Sequence, residues 1–289
     1  MQHYVPQVYL RNFSFDKKHD EYFVYCFNKT SLKTFPENIS KVACERYFND
    51  IEGDDDQSIE HLLGKFEGAY AGVFRKIVRK QNLNCLNRDE RTTLAFFFAI
   101  QYYRTKEQRV SFQAVANYIK EWLTQQCSSE SLREDLDACC QETALKEGHL
   151  TILMDAVPEM VQRLLTMKWI LCKNITTMPF WTSDNPVVMD NSADNKYERY
   201  LGYNCPGIEM YLPLNSKYCL TICDPEKYHV MPDVMETNSV QNVIYNNSLQ
   251  LMYSTRFVFS DSADFSYAEN FLGRKPDYKN INRQRVFPP

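Results

Sequence analysis

Residues 160–172, MVQRLLTMKWILC, contain the point at which the chain changes its period. Up to Lys168 the pattern is that of a helix, whereas Trp169-Ile170-Leu171-Cys172 is a short, strongly apolar run of strand character. Upstream, about 58–168 reads as helices. Downstream, about 169–260 reads as short strands separated by turn residues: PFWT, PVVM, EMYLPL and YCLTIC follow WILC in turn. Helices in one run and strands in the next predict an α+β fold, with a helical half packed on a mixed or antiparallel sheet half, rather than alternating βαβ units.

Around that pivot the elements can be placed. Ser58 opens a helix whose apolar positions Ile59, Leu62, Leu63, Phe66, Tyr70, Val73, Phe74 and Ile77 recur at helical spacing. Asn87-Arg88-Asp89-Glu90 has the spacing of a capping box and starts a second helix through LAFFFAIQYYRT to about Gln125. A third helix is expected over about 130–147, and a fourth leads up to Lys168. Residues 1–57 read as an extended arm, a short strand at Tyr22–Phe27 and loops. A helix over 234–253 and a last strand in TRFVFS close the sheet half. No Gly-, Ser- or Pro-rich linker and no internal repeat divides the chain, so 1–289 is expected to form one α+β domain with an N-terminal arm docked on it.

Composition narrows the function. Of 289 residues 44% are hydrophobic and 24% charged, a globular balance. Only 8 glycines are present, with neither GxGxxG nor GxxxxGK[ST], which argues against a glycine-rich phosphate loop. No apolar run has the length of a membrane span and MQHYVPQVYL is not a signal peptide, so a soluble, cytoplasmic protein is expected. The 10 cysteines include no CxxC, and without a secretory signal they read as reduced core thiols. Cys219 and Cys223 share one side of a strand but stand too far apart to chelate zinc readily. The net charge of −4 is unevenly spread. Residues 75–109 carry Arg75, Lys76, Arg79, Lys80, Arg88, Arg91, Arg104, Lys106 and Arg109 against three acids, and 273–289 carries five cations against Asp277. Asp50–Glu60, by contrast, holds six acids. Such polarity can attract a polyanion, or can be solvated helix faces.

Four places set polar residues in apolar surroundings. His3 lies in HYVPQVYLRNF, an arm apolar enough to dock, where it is either a hydrogen-bonded structural histidine or a base. Glu60 and Glu67 lie two turns apart on one helix face, and Glu67 borders the buried stripe, where a carboxylate needs an arginine, a metal or a proton. Gln101 and Arg104 emerge together, three residues apart, from an all-apolar helix, and a buried guanidinium demands a carboxylate or phosphate. Glu67 is its natural protein partner. Last, Phe180-Trp181-Thr182-Ser183-Asp184-Asn185-Pro186-Val187-Val188 places four polar residues between two strands, as an ordinary turn or as a rim of ligands. Asn242 and Asn246, four apart on the late helix, can face the same pocket.

HYVPQVYLRNF, the helix bearing Glu60 and Glu67, QYYRT, TSDNPVV, the following YLPLN and the asparagine-bearing helix before TRFVFS occur in that order in a bacterial family known as domain of unknown function 4238. The chain resembles that family over essentially its whole length, with HxxPxxYLxxF and TSDNP carrying the resemblance. The resemblance implies a single domain and a bacterial or phage origin, and supplies no chemistry.

Three function classes follow. In the first the protein is a metal-dependent phosphodiester hydrolase, a nuclease-type toxin or defence effector. Asp184 and Glu67 would then hold Mg²⁺ or Mn²⁺, His3 would be the base, Arg104 with the 75–109 segment would hold nucleic-acid phosphate, and Gln101 would belong to the same catalytic set. In the second it binds a nucleotide or small molecule without chemistry, through Thr182, Ser183, Asn185, Gln101, Asn242 and Asn246. In the third these are satisfied groups of a structural or interaction protein.

Overall fold

A computed structural model describes residues 1–19, 21–50, 58–126, 129–191 and 201–285. Most acids of the Asp50–Glu60 run, and Cys127, lie outside the described residues. The chain opens with β1 (Gln2–His3), α1 (Gln7–Leu10), β2 (Asp16–Lys18), β3 (Glu21–Asn28), β4 (Lys33–Asn38) and β5 (Cys44–Glu45). Five helices follow: α2 (Ser58–Lys80), α3 (Arg88–Tyr103), α4 (Lys106–Gln126), α5 (Glu130–Cys139) and α6 (Glu142–Thr166). The second half runs β6 (Lys168–Asn174), β7 (Thr182–Ser183), β8 (Val188–Asp190), β9 (Glu209–Asn215), β10 (Tyr218–Cys223), α7 (Pro225–Tyr228), β11 (Val234–Thr237), α8 (Val240–Tyr253), β12 (Phe257–Ser260) and α9 (Ser266–Arg274). This is an α+β fold, with the change of period at Met167.

Local chemistry accounts for most boundaries. The capping box forms: the Glu90 amide donates to Asn87 Oδ1, and the Asn87 amide to Glu90 Oε2, each at 2.9 Å. α3 buries Leu94, Ala95, Phe97, Phe98, Ala99 and Ile100, and stands at the centre of a core that runs from Tyr4 to Phe259. Three expected helices are corrected. The one expected to run from 88 to about Gln125 ends at Tyr103. Arg104 and Thr105 turn inward to the arm and to Asn185, and α4 starts afresh at Lys106. The one expected over 130–147 stops at Cys139, and α6 begins at Glu142. The 234–253 helix loses its first turn to β11, whose Val234–Thr237 pairs parallel with Leu171–Asn174.

Two five-stranded sheets result. One has the order β11-β6-β10-β9-β8; the other runs β2-β3-β12-β7, with β4 also paired to β3. The sheet half is therefore completed by residues 16–38, where the sequence pattern predicts one short strand at Tyr22–Phe27 among loops. PFWT and PVVM shrink to Thr182–Ser183 and Val188–Asp190, and they belong to different sheets: β7 pairs with β12, β8 with β9. The SDNP turn is thus a buried splice from one sheet into the other. A third, two-stranded pairing of β1 with β5 sets His3 opposite Cys44 and fixes the arm. The described cysteines are free, and Cys219 and Cys223 are buried among core apolar groups. Among the described residues no helix is long and apolar enough to cross a membrane.

Candidate functional site

Thr182, Ser183, Asp184 and Asn185 are 0%, 0%, 1% and 3% exposed, so they face the interior and not a solvent rim. Asp184 Oδ1 accepts the Thr255 amide and Oδ2 accepts those of Arg256 and Phe257, each at 2.8 Å. Burial raises its pKa, and those amides together with Lys29 oppose the rise. The Thr182 hydroxyl meets Tyr9 Oη at 2.8 Å, and Tyr9 donates in turn to the Pro213 carbonyl. Ser183 Oγ donates to Gln250 Oε1 at 2.6 Å, and Gln250 Nε2 returns to the Pro186 carbonyl at 2.9 Å. Asn185 accepts from Thr105 at 2.8 Å and donates to the Tyr253 carbonyl at 3.1 Å. Every one of these bonds stays inside the protein.

Asn242 and Asn246 have the same character. Asn242 donates to Thr237 Oγ1 at 3.0 Å, and Asn246 donates to the Asn242 carbonyl while its Oδ1 lies 3.6 Å from Cys219 Sγ. They fasten α8 to β10 and β11. Asn247, which has no signal in the sequence pattern, holds the chain on either side of Phe180: its Oδ1 accepts the Trp181 amide at 2.9 Å and its Nδ2 donates to the Pro179 carbonyl at 3.0 Å.

The arm presents a different picture. Gln101 Nε2 donates to the Tyr4 carbonyl at 2.9 Å, and Arg104 Nη2 donates to the His3 carbonyl, so a side chain in the last turn of α3 and one at its C-cap grip consecutive arm residues. Arg104 Nη1 reaches Glu67 Oε1 at 3.3 Å; the arginine is 2% exposed and the glutamate side chain 28%. Four buried polar atoms on these residues and on Tyr70 have no hydrogen-bond partner among the described residues: His3 Nε2, Tyr70 Oη, Gln101 Oε1 and Arg104 Nε. Tyr70 lies one turn beyond Glu67 on α2, close enough to feel both Glu67 and Arg104. Burial lowers the His3 pKa, and the Ile39 carbonyl, facing the ring, opposes that. The lowered pKa favours the neutral imidazole. Burial raises Glu67, with Arg104 holding it down. Glu60, bonded to Asn49 at 2.9 Å, acts electrostatically on both His3 and Glu67.

Arg104 therefore joins the His3 backbone to Glu67, Gln101 holds the neighbouring Tyr4, and Asp184 belongs to the splice. Of the two carboxylates expected to hold a metal, Asp184 is turned to its three amides and Glu67 to Arg104. Among the described residues no group of three or more His, Cys, Asp or Glu is placed to hold a metal ion. Tyr70 is the member the sequence concealed, because its position in the apolar stripe of α2 marks it as core.

Both clusters fall within residues 1–264, and over those residues the chain matches the model of a family described as Protein of unknown function (DUF4238). The chain belongs to that family. No curated protein and no solved structure matches it. The DUF4238 match takes in the arm, α2, α3 and the splice, and ends before Arg283 and Arg285. Those two arginines reach back to Glu107, at 2.6 Å from Arg283 and at 2.9 and 3.0 Å from Arg285.

The basic segment is less available than its count. Lys76 is bonded to Glu90 and Lys106 to Glu45. Arg91 lies over Trp169 and Arg109 over Phe48, and Arg104 is buried. Arg75, Arg79, Lys80 and Arg88 are the members that stand exposed.

Proposed function

We propose that His3, Glu67, Tyr70, Gln101 and Arg104 form a hydrolytic site for phosphodiesters, and that the protein is a nuclease-type hydrolase. One observation carries this reading: four polar atoms on the arm, α2 and the end of α3, the segments that Arg104 ties together, are buried without partners among the described residues. Each such atom costs about 1–3 kcal/mol when left unpaired. A polar group of a substrate seated among them would remove that cost. The neutral His3 imidazole accepts a proton from water or a hydroxyl. Arg104 offers its free Nε–H to an anionic oxygen and Tyr70 offers a second donor, a set that favours charge growing on a phosphoryl group. Glu67 holds the guanidinium in place and reaches the surface.

The outward cations Arg75, Arg79 and Lys80 stand on α2, the helix that carries Glu67 and Tyr70, and they make nucleic acid the favoured source of the diester. Glu67, with Glu60 in electrostatic reach, is the carboxylate set left for Mg²⁺ or Mn²⁺, so the assay is run after chelation and again with each cation.

The test is cleavage of labelled single- and double-stranded DNA and RNA and of a chromogenic phosphodiester. His3→Ala is expected to lower the rate about 10²–10⁴-fold with unchanged melting temperature. The rate of the wild type should stay flat through neutral pH and fall only below pH 6.5, because burial depresses the His3 pKa from that value. Failure to cleave any of these substrates, with or without the cations, overturns the reading.

A further inference from the structure

A second place in the fold has the make-up of a ligand site, and it calls for the opposite charge. A pocket of about 370 Å³ opens between α2 and α3, lined by Phe66 and Ala69 from the one and by Asp89, Thr92, Thr93 and Phe96 from the other. Ala69 and Asp89 are exposed and the other four are partly buried, so each presents surface to a ligand. The α3 residues stand at i, i+3, i+4 and i+7, which is one face of a helix, and run about 10 Å along its axis. The Phe66 and Phe96 rings lie nearly parallel, with centroids 6.0 Å and planes 12° apart. Both pack against the main core, which fixes this wall.

Every polar side chain in the lining is an acceptor. Thr92 Oγ1 donates its proton to the Arg88 carbonyl at 2.9 Å and Thr93 Oγ1 to the Asp89 carbonyl at 2.8 Å, which leaves the two hydroxyls with lone pairs alone. The two carboxylates in the first turn of α3 are used differently. Glu90 takes the Asn87 amide at 2.9 Å and the Lys76 ammonium at 2.6 Å, whereas the Asp89 carboxylate enters no ion pair or hydrogen bond among the described residues. Among those residues no lysine, arginine or histidine lines the pocket. An unmatched carboxylate, two hydroxyl acceptors and two aromatic rings repel phosphate, and they suit a ligand that brings N–H donors and positive charge on an apolar body.

We infer that this pocket binds an organic cation with a flat guanidinium or amidinium head, directed at Asp89 and the threonine oxygens, and an apolar body laid on Phe66 and Phe96. A guanidinium is planar, has donors and no acceptor, and stacks on aromatic rings, so it leaves no group of the lining unmatched. A compact ammonium meets the carboxylate but offers the rings no plane. The volume lies at the lower end of the range for small-ligand sites. A free alkylguanidine and the arginine side chain of a polypeptide both carry this head. The site does not depend on the phosphodiester reading, since its ligand carries no diester and its lining includes none of His3, Glu67, Tyr70, Gln101 and Arg104.

The experiment titrates benzamidine and agmatine into ¹⁵N-labelled full-length protein and follows the backbone amide resonances of Asp89–Phe96. Benzamide is the neutral isostere and benzoate the anionic one. Both cations should move these resonances in a saturable way, benzamide should bind at least about tenfold more weakly for want of charge and donors, and benzoate should leave them unmoved. Asp89→Asn, at an exposed position where the acid otherwise serves only the helix dipole, should keep its melting temperature and weaken both cations about tenfold. Phe66→Leu, which keeps an apolar wall without the ring, should weaken them about threefold. Acetyl-arginine-amide binding as tightly as agmatine identifies the arginine side chain of a polypeptide as the source, and weaker binding identifies a free cation. The proposal is overturned if millimolar benzamidine and agmatine leave the resonances unmoved, if benzamide matches benzamidine, or if Asp89→Asn binds as well as the wild type.

Discussion

At the scale of single residues, the same side-chain chemistry serves opposite ends according to what surrounds it. Asp184 has its charge met by three backbone amides, and an amide side chain is not a substitute there. Asn offers one acceptor oxygen and would aim two N–H donors at N–H groups. Asp184→Asn is therefore expected to cost about 3 kcal/mol in urea unfolding, the range for a buried donor left unpaired. A variant as stable as the wild type would remove Asp184 from its anchoring role. His149 shows the reverse logic. Its Nε2 lies 2.9 Å from the Tyr103 carbonyl, so Nε2 carries the proton, and Nδ1 receives Arg109 Nε–H at 3.4 Å. Burial first, and then Arg109, lower its pKa from 6.5 to about 4. The folded state thus binds fewer protons than the unfolded one between those values, and stability declines as pH falls from 6.5 towards 4, by up to about 3 kcal/mol. Thermal unfolding of His149→Gln across that window should show the decline reduced.

At the scale of elements, what the sequence makes legible is what local chemistry decides. The capping box at Asn87, the apolar stripe of α2 and the change of period at Met167 can all be read because each needs only neighbours in the chain. The break between α3 and α4 cannot, because Arg104 and Thr105 leave the helix for partners at His3, Glu67 and Asn185. Val234–Thr237 likewise becomes a strand through the free edge of β6 and not through its own propensity. The candidate residues of the arm were legible as polar groups in apolar company, whereas Tyr70 was hidden by looking like core. The C-terminal strap is a further element set by distant contacts. Glu107, on α4, is 5% exposed and is gripped by Arg283 and Arg285. Replacing both arginines with alanine leaves a buried carboxylate with Thr255 Oγ1 as its remaining hydrogen-bond donor, and should cost about 3–5 kcal/mol. The loss should be much smaller in a Glu107→Gln background, so a double-mutant cycle by urea unfolding reads the pair directly; equal losses in both backgrounds would show the strap to be passive.

At the scale of the whole molecule, the arm is where the helical half and both sheets are tied together. Tyr9 sits at the knot, 0% exposed, its hydroxyl shared between Thr182 of β7 and the Pro213 carbonyl of β9, with its ring against Phe74 and Phe97 from α2 and α3. The same arm carries His3 to Glu67 and Arg104, six residues before Tyr9. If the arm's seat sets the surroundings of His3, loosening the knot must be felt at the imidazole without touching it. Tyr9→Phe keeps the ring and its packing but deprives Thr182 and Pro213 of their partner. It should lower stability by about 1–3 kcal/mol, and its effect should be non-additive with Thr182→Val because the two share one hydrogen bond. The His3 pKa, followed by its ring-proton chemical shifts, should then rise towards 6.5, since burial is the main cause of its depression and a looser arm admits water. A Tyr9→Phe protein that loses stability while His3 titrates as in the wild type would separate the knot from the site, and His3 would then owe its environment to β1, β5 and Ile39 alone.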